Sequence, residues 1–120
     1  MRIPAKTDYA LRAAVALAAA HGSYVKAGAL SREQKIPFEY LQNILRDLRR
    51  AGVLAAQRGY EGGYRLARPA QRITVSDVLE AVGSPLTEPY TCAPGVVWDS
   101  LEDSTRALFG STTIADLAAR

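Results

Sequence analysis

Glu39, Gln42, Asn43 and Arg46 are the residues whose type and spacing suggest chemistry. A helix turns about 100° per residue, so these four share one face. Their side chains match the base edges of a DNA major groove. Gln and Asn pair with adenine, Arg pairs with guanine, and Glu accepts from the amino group of cytosine. An ordinary solvated helix face shows the same pattern. What tips the reading is the segment that follows, Arg58-Gly59-Tyr60-Glu61-Gly62-Gly63. It is a glycine-rich turn with Arg58 and Tyr60 at its tip, and an exposed cationic tip suits a narrow minor groove. Glu39 has a second reading, as an acidic residue stabilised by a helix N-terminus.

Arg2, Lys6, Tyr9, Lys26, Arg49, Arg50 and Tyr60 are candidates for phosphate contact. Tyr9 equally suits packing on a core. The charge distribution supports a polyanion partner. Residues 1–70 hold twelve Lys/Arg against five Asp/Glu, whereas residues 71–120 hold three against seven. The net charge of +3 hides this division.

Catalytic chemistry finds little support. His21 is the single histidine and Cys92 the single cysteine. One thiol excludes a disulfide framework within the chain and any site needing several thiolates from one chain. No GxSxG, P-loop or HExxH pattern is present. The glycines at 59, 62 and 63 do not form a dinucleotide fingerprint.

The elements that must position these residues are legible from periodicity. A helix over about residues 5–21 carries Ala10, Ala14, Leu17 and Ala18 at helical spacing. Its alanine run resembles a secretion signal, but Asp8, Tyr9 and Arg12 break the leading part. A short helix over 27–34 ends at Lys35-Ile36-Pro37, because the residue before proline disfavours the helical region. The third helix, over about 38–51, buries Leu41, Ile44, Leu45 and Leu48 and turns its polar stripe outward. Strands over 53–57 and 64–66 flank the glycine turn, and Arg65 and Arg68 extend the basic character beyond it. Thr74 and Asp77 form a capping box for a fourth helix, with Ile73 and Val78 as a hydrophobic staple and Gly83 closing it. A linker over 84–95 holds three prolines and Cys92. A fifth helix over about 96–109 presents Val97, Leu101 and Leu108 and ends at Gly110, and Thr113 caps a last short helix.

Helix, helix–turn–helix, hairpin, helix is the order of a winged helix-turn-helix, mainly α with a small β-hairpin wing. The expected division is a DNA-binding domain over 1–83, a linker or sensor loop over 84–95, and a dimerisation helix with a short terminal helix over 96–120. At 48% hydrophobic and 22% charged residues the composition is that of a soluble globular chain. No run approaches the roughly 20 apolar residues of a membrane span, so the expectation is a cytoplasmic protein with no membrane partner.

Several segments together resemble a known family. They are MRIPAKTDYALRAAVALA, IPFEYLQNILRDLRRAGVL, RGYEGGYRLARP, ITVSDVLEAVGSPL and TTIADL. The chain resembles the Rrf-two family of bacterial transcription regulators over nearly its whole length. The resemblance implies a homodimer joined through the fifth helix and bound to a partly palindromic double-stranded operator. It also implies base contacts at Glu39, Gln42 and Asn43 and minor-groove entry by Arg58. Repression is the expected mode.

Departures from the family pattern concern the signal. Cluster-bearing members carry three cysteines in the linker. Cys92, six residues before Trp98, matches the last of them, and the family's histidine ligand position falls on Gly95. Asp8 matches an acidic ligand that some members donate from the other subunit. Two ligands fall short of the about four that hold a cluster, so the expectation is no cofactor. A labile iron–sulfur cluster on Cys92 and Asp8 is the alternative. Asp8 also stands one turn from Arg12, at ion-pair spacing. Cys92 has two further readings, a reversible thiol sensor or an inert loop residue. A different class remains open as well: a winged module that binds protein, which would expose apolar residues where this chain has its polar stripe. The residues name no effector.

Overall fold

The computed structural model describes residues 3–84 and 96–119. Arg2 and Cys92, and with them most of the expected linker, lie outside the described residues.

Helix α1 (Ala5–Ala19) lays Ala10, Ala13, Ala14 and Leu17, all buried, against the rest of the chain. Alanines let neighbouring backbones approach closely. The helix stops two residues before the expected His21. Ala20 N and His21 N donate to Leu17 O and Ala18 O, a tightened last turn, and His21 then takes φ 51°. Helix α2 (Ala27–Gln34) ends at Lys35, which is left-handed at φ 56°. Ile36 N donates across that turn to Ser31 O at 3.1 Å, the Schellman closure, and Ile36 itself is buried. Pro37 then opens helix α3 (Phe38–Arg50). Leu41, Ile44, Leu45 and Leu48 of α3 are fully buried, as its period requires.

Strands β1 (Leu54–Gln57) and β2 (Gly63–Leu66) form an antiparallel hairpin with Leu54 opposite Leu66 and Gln57 opposite Gly63. Val25, just before α2, joins this hairpin: it exchanges backbone hydrogen bonds with Tyr64 at 2.9 and 2.8 Å. No local sequence pattern marks that pairing, since its partners stand far apart in the chain. The pairing explains Gly63, whereas Gly62 is required by the hairpin's own turn. A Cβ on Gly63, at φ 139°, would lie 2.4 Å from Val25 O, and one on Gly62 would lie 2.1 Å from Gln57 O.

A short 3-10 turn (Ala70–Arg72) leads to helix α4 (Val75–Val82). Thr74 and Asp77 form the expected capping box, with both hydrogen bonds at 3.0 Å. Ile73 and Val78 are both buried, and Gly83 ends the helix at φ 63°. Helix α5 (Val96–Ser111) continues through Gly110 rather than ending there. Gly110 does not take positive φ, and the chain leaves the helix only where Thr112 and Thr113 pair with the start of α4. Val75 N donates to Thr112 O at 2.9 Å and Ile114 N to Ile73 O at 2.8 Å. Helix α6 (Ile114–Ala118) thereby returns to α1, and Ile114 is fully buried in the shared core. Helix α5 packs mainly on α4 and leaves Leu108 59% exposed.

One further bond ties the two ends of the helical body together. Thr7 is the buried polar residue among those described, and its hydroxyl lies 2.6 Å from that of Ser84, where the chain leaves α4.

Candidate nucleic-acid interface

The leucine stripe of α3 faces the core, so the opposite face is forced outward. Glu39, Gln42, Asn43, Arg46, Arg49 and Arg50 are all exposed. Arg46 Nη2 donates to Asn43 Oδ1 at 2.6 Å, one turn away, which holds both side chains. Arg49 and Arg50 have no ion-pair partner among the described residues. Between α3 and the wing lies a depression of about 580 Å³, lined by Gln42, Arg46, Arg49, Arg50 and Tyr64. Three guanidinium groups around one concave surface give it a strongly positive potential.

The wing projects beside that depression. Gly62 N donates to Gly59 O at 3.0 Å and closes the tip, with Gly59 at φ 102°. Lys26 Nζ donates to Gly59 O, which braces the tip from the start of α2. Arg58 is exposed without a partner among the described residues, and Tyr60 is 96% exposed. Tip and α3 face therefore expose the residues expected to meet bases and backbone.

The remaining cations divide. Lys6 Nζ sits 3.7 Å from Asp47 Oδ2 and ties α1 to α3. Arg65 stacks over Tyr24 at 4.4 Å and reaches Gly22 O at 3.5 Å, while Arg68 pairs with Asp77 at 3.5 Å. These two arginines brace the base of the wing rather than extend its cationic tip. Tyr9 packs edge-on against Tyr40, with ring centroids 5.4 Å apart, and Arg12 lies 5.2 Å from its ring centre. Its hydroxyl has no hydrogen-bond partner among the described residues.

Asp8 and Arg12 meet at 3.2 Å between Oδ2 and Nε, an ion-pair distance without hydrogen-bond alignment. Arg12 Nη1 donates to Gln34 O at 2.7 Å, so the guanidinium is fixed and holds the Asp8 carboxylate. Among the described residues no three His, Cys, Asp or Glu side chains gather in a way that would hold a metal. One thiol per chain and a carboxylate engaged by arginine do not fit a cluster needing about four ligands.

Sequence reasoning missed Tyr64 as a wall of the depression and the exposed aromatics Phe38 and Tyr40 on α3. The alternation of β2 was the available signal for Tyr64, since Arg65 points the other way. Among the described residues no helix is long and apolar enough to cross a membrane.

Comparison with known proteins places this geometry. A Mycobacterium tuberculosis (strain H37Rv) protein named as an HTH-type transcriptional regulator is 42% identical over 131 residues, covering 98% of this chain and 81% of that protein. The HTH-type transcriptional regulator IscR of Cereibacter sphaeroides is 42% identical over 96 residues, covering 78% of this chain and 62% of that one. Among solved structures, CymR, the global cysteine regulator of Bacillus subtilis, superposes with a TM-score of 0.86 at 26% identity, covering 99% of this chain and 97% of that one. Residues 3–120 match the Rrf2 family, described as an iron-dependent transcriptional regulator. The winged helix-turn-helix built by α1–α4 is thus a shared scaffold, and this chain belongs to the Rrf2 family of transcriptional regulators, a family of regulators rather than enzymes.

Proposed function

We propose that this protein is a homodimeric repressor that binds a partly palindromic double-stranded operator and acts in the cytoplasm, where its DNA lies. The observation that carries the reading is the continuous surface of Gln42, Asn43, Arg46, Arg49 and Arg50 beside a wing tip with unpaired Arg58. Glu39, Gln42, Asn43 and Arg46 read base edges in the major groove. Arg58 enters the adjacent minor groove, and Lys6, Tyr9, Lys26, Arg49, Arg50 and Tyr60 meet phosphates. The exposed Leu108 on α5 supports a second copy as the partner of that helix.

The protein works without a conventional three-cysteine iron–sulfur site, since its donor set does not fit one. A protein-binding wing would offer an apolar face. Here α3 offers six polar side chains, and aromatic ones stand at the ends of the surface, in Phe38 and Tyr60.

The test is selection of duplexes from a randomised 30-bp pool, followed by fluorescence anisotropy on the selected and a scrambled duplex. The expected result is a preference of 10³-fold or more for the selected site, as specific regulators show. Equal affinity for both would overturn the reading.

A further inference from the structure

Phe38 opens α3 and keeps 45% of its surface exposed, although Leu41 and Leu45 on the same helix are wholly buried. Its position is set by its neighbours: Pro37 at the N-cap has φ −53°, and Leu41 N donates to Pro37 O at 2.9 Å. With about 100° per residue, Phe38, Gln42 and Arg49 lie within about 40° of one another around the helix. Gln42 and Arg49 line the depression facing the wing, so Phe38 heads the same strip at its N-terminal end.

The other exposed aromatic of this helix is differently placed. Tyr40 lies on the opposite flank, packed on Tyr9 beside the Lys6–Asp47 pair. Phe38 has no such ring partner among the described residues.

In a helix-turn-helix the N-terminal residues of the second helix reach furthest into the major groove. The apolar feature that groove offers is the C5-methyl group of thymine. We propose that Phe38 is a specificity-determining residue that packs on the C5-methyl of a thymine next to the base pair read by Gln42. This rests on the assignment of α3 as the base-reading helix. The polar contacts of Gln42 and Arg46 do not require it, so the two can fail separately.

The experiment replaces each thymine of the selected duplex in turn by deoxyuridine, which removes one methyl group and leaves every hydrogen-bonding group in place. Wild-type protein should lose about fourfold in affinity per substituted position in contact with Phe38, the worth of one buried methyl. Phe38→Ala should bind more weakly and show no further loss at that position. Phe38→Leu, which keeps an apolar body, should retain part of the loss and guards against misfolding of the alanine variant. Circular dichroism melting checks both variants.

Indifference of the wild-type protein to deoxyuridine at every position, with specific binding intact, would overturn the role of Phe38 alone. An unchanged deoxyuridine penalty in Phe38→Ala would do the same. Failure to select any duplex would overturn the base-reading assignment and this inference with it.

Discussion

Arg46 and Asn43 are joined by a 2.6 Å hydrogen bond on the exposed face of α3, so two side chains expected to read separate bases behave as one unit. The bond uses one lone pair of Asn43 Oδ1 and leaves its amide donor free. Arg46 keeps its remaining guanidinium donors, enough for the bidentate guanine contact that the proposed function assigns to it. Asn43 thus positions Arg46, beside the base contact proposed for its own amide.

Coupling follows from that bond. Asn43→Ala and Arg46→Ala should each cost about 1–3 kcal/mol on the selected duplex. The double variant should cost less than their sum by at least about 0.5 kcal/mol, because each single change already disturbs the other residue. Anisotropy titrations of the four proteins measure it. Strict additivity would mean the pair does not persist on DNA.

Arg49 lines the depression without an ion-pair partner among the described residues, and the proposed interface gives it a phosphate contact. Arg49→Ala should weaken selected and scrambled duplexes alike. It should also reduce the slope of log affinity against log salt by about one. Gln42→Ala should instead relax base preference with the salt slope unchanged. A loss confined to the selected duplex in Arg49→Ala would reverse the assignment.

The wing depends on two glycines that have no room for a methyl group. Gly63→Ala would place a Cβ 2.4 Å from Val25 O at a strained φ of 139°, and Gly62→Ala would place one 2.1 Å from Gln57 O. Each should lower stability by about 2–3 kcal/mol, read by urea denaturation. Gly59→Ala meets no neighbour and carries only the strain of φ 102°, so its loss should be smaller. Equal losses at all three positions would show that contact with Val25 and Gln57 is not the cause.

Leu108 is 59% exposed on α5, and the proposed dimer would cover it. Leu108→Glu should shift sedimentation from dimer toward monomer and weaken operator binding. The proposed operator, with two half-sites about one DNA turn (roughly 34 Å) apart, would need both subunits. A wild-type protein that sediments as a monomer at micromolar concentration, or a variant that stays dimeric and binds normally, rules out this contact.

Iron content tests the donor argument. Anaerobically purified protein should carry far less than stoichiometric iron and sulfide, and Cys92→Ser should keep its fold and DNA binding. Asp8→Ala should cost only about 0.3–0.5 kcal/mol, the worth of an exposed i,i+4 ion pair with Arg12. Stoichiometric iron and sulfide lost on either substitution would make Cys92 and Asp8 cluster ligands.

What the sequence by itself determined is what neighbours along the chain decide. The capping box of Thr74 and Asp77, and that of Thr113 and Asp116, each need only residues three apart. The leucine stripe of α3 follows from helical period, and its burial forces the opposite polar face outward. The Asp8–Arg12 pair is likewise one turn long. Only the tertiary structure decided which cations are free. Arg65 and Arg68 look like Arg58 in the sequence, yet Tyr24, some forty residues away in sequence, and Asp77, at the start of α4, hold them. The Val25–Tyr64 and Thr74–Thr113 pairings belong to the same class, as does the end of α5 beyond Gly110. Backbone groups at such crossings find partners only after long loops have closed, and whether they meet depends on how α1, α3 and α6 pack rather than on any local pattern.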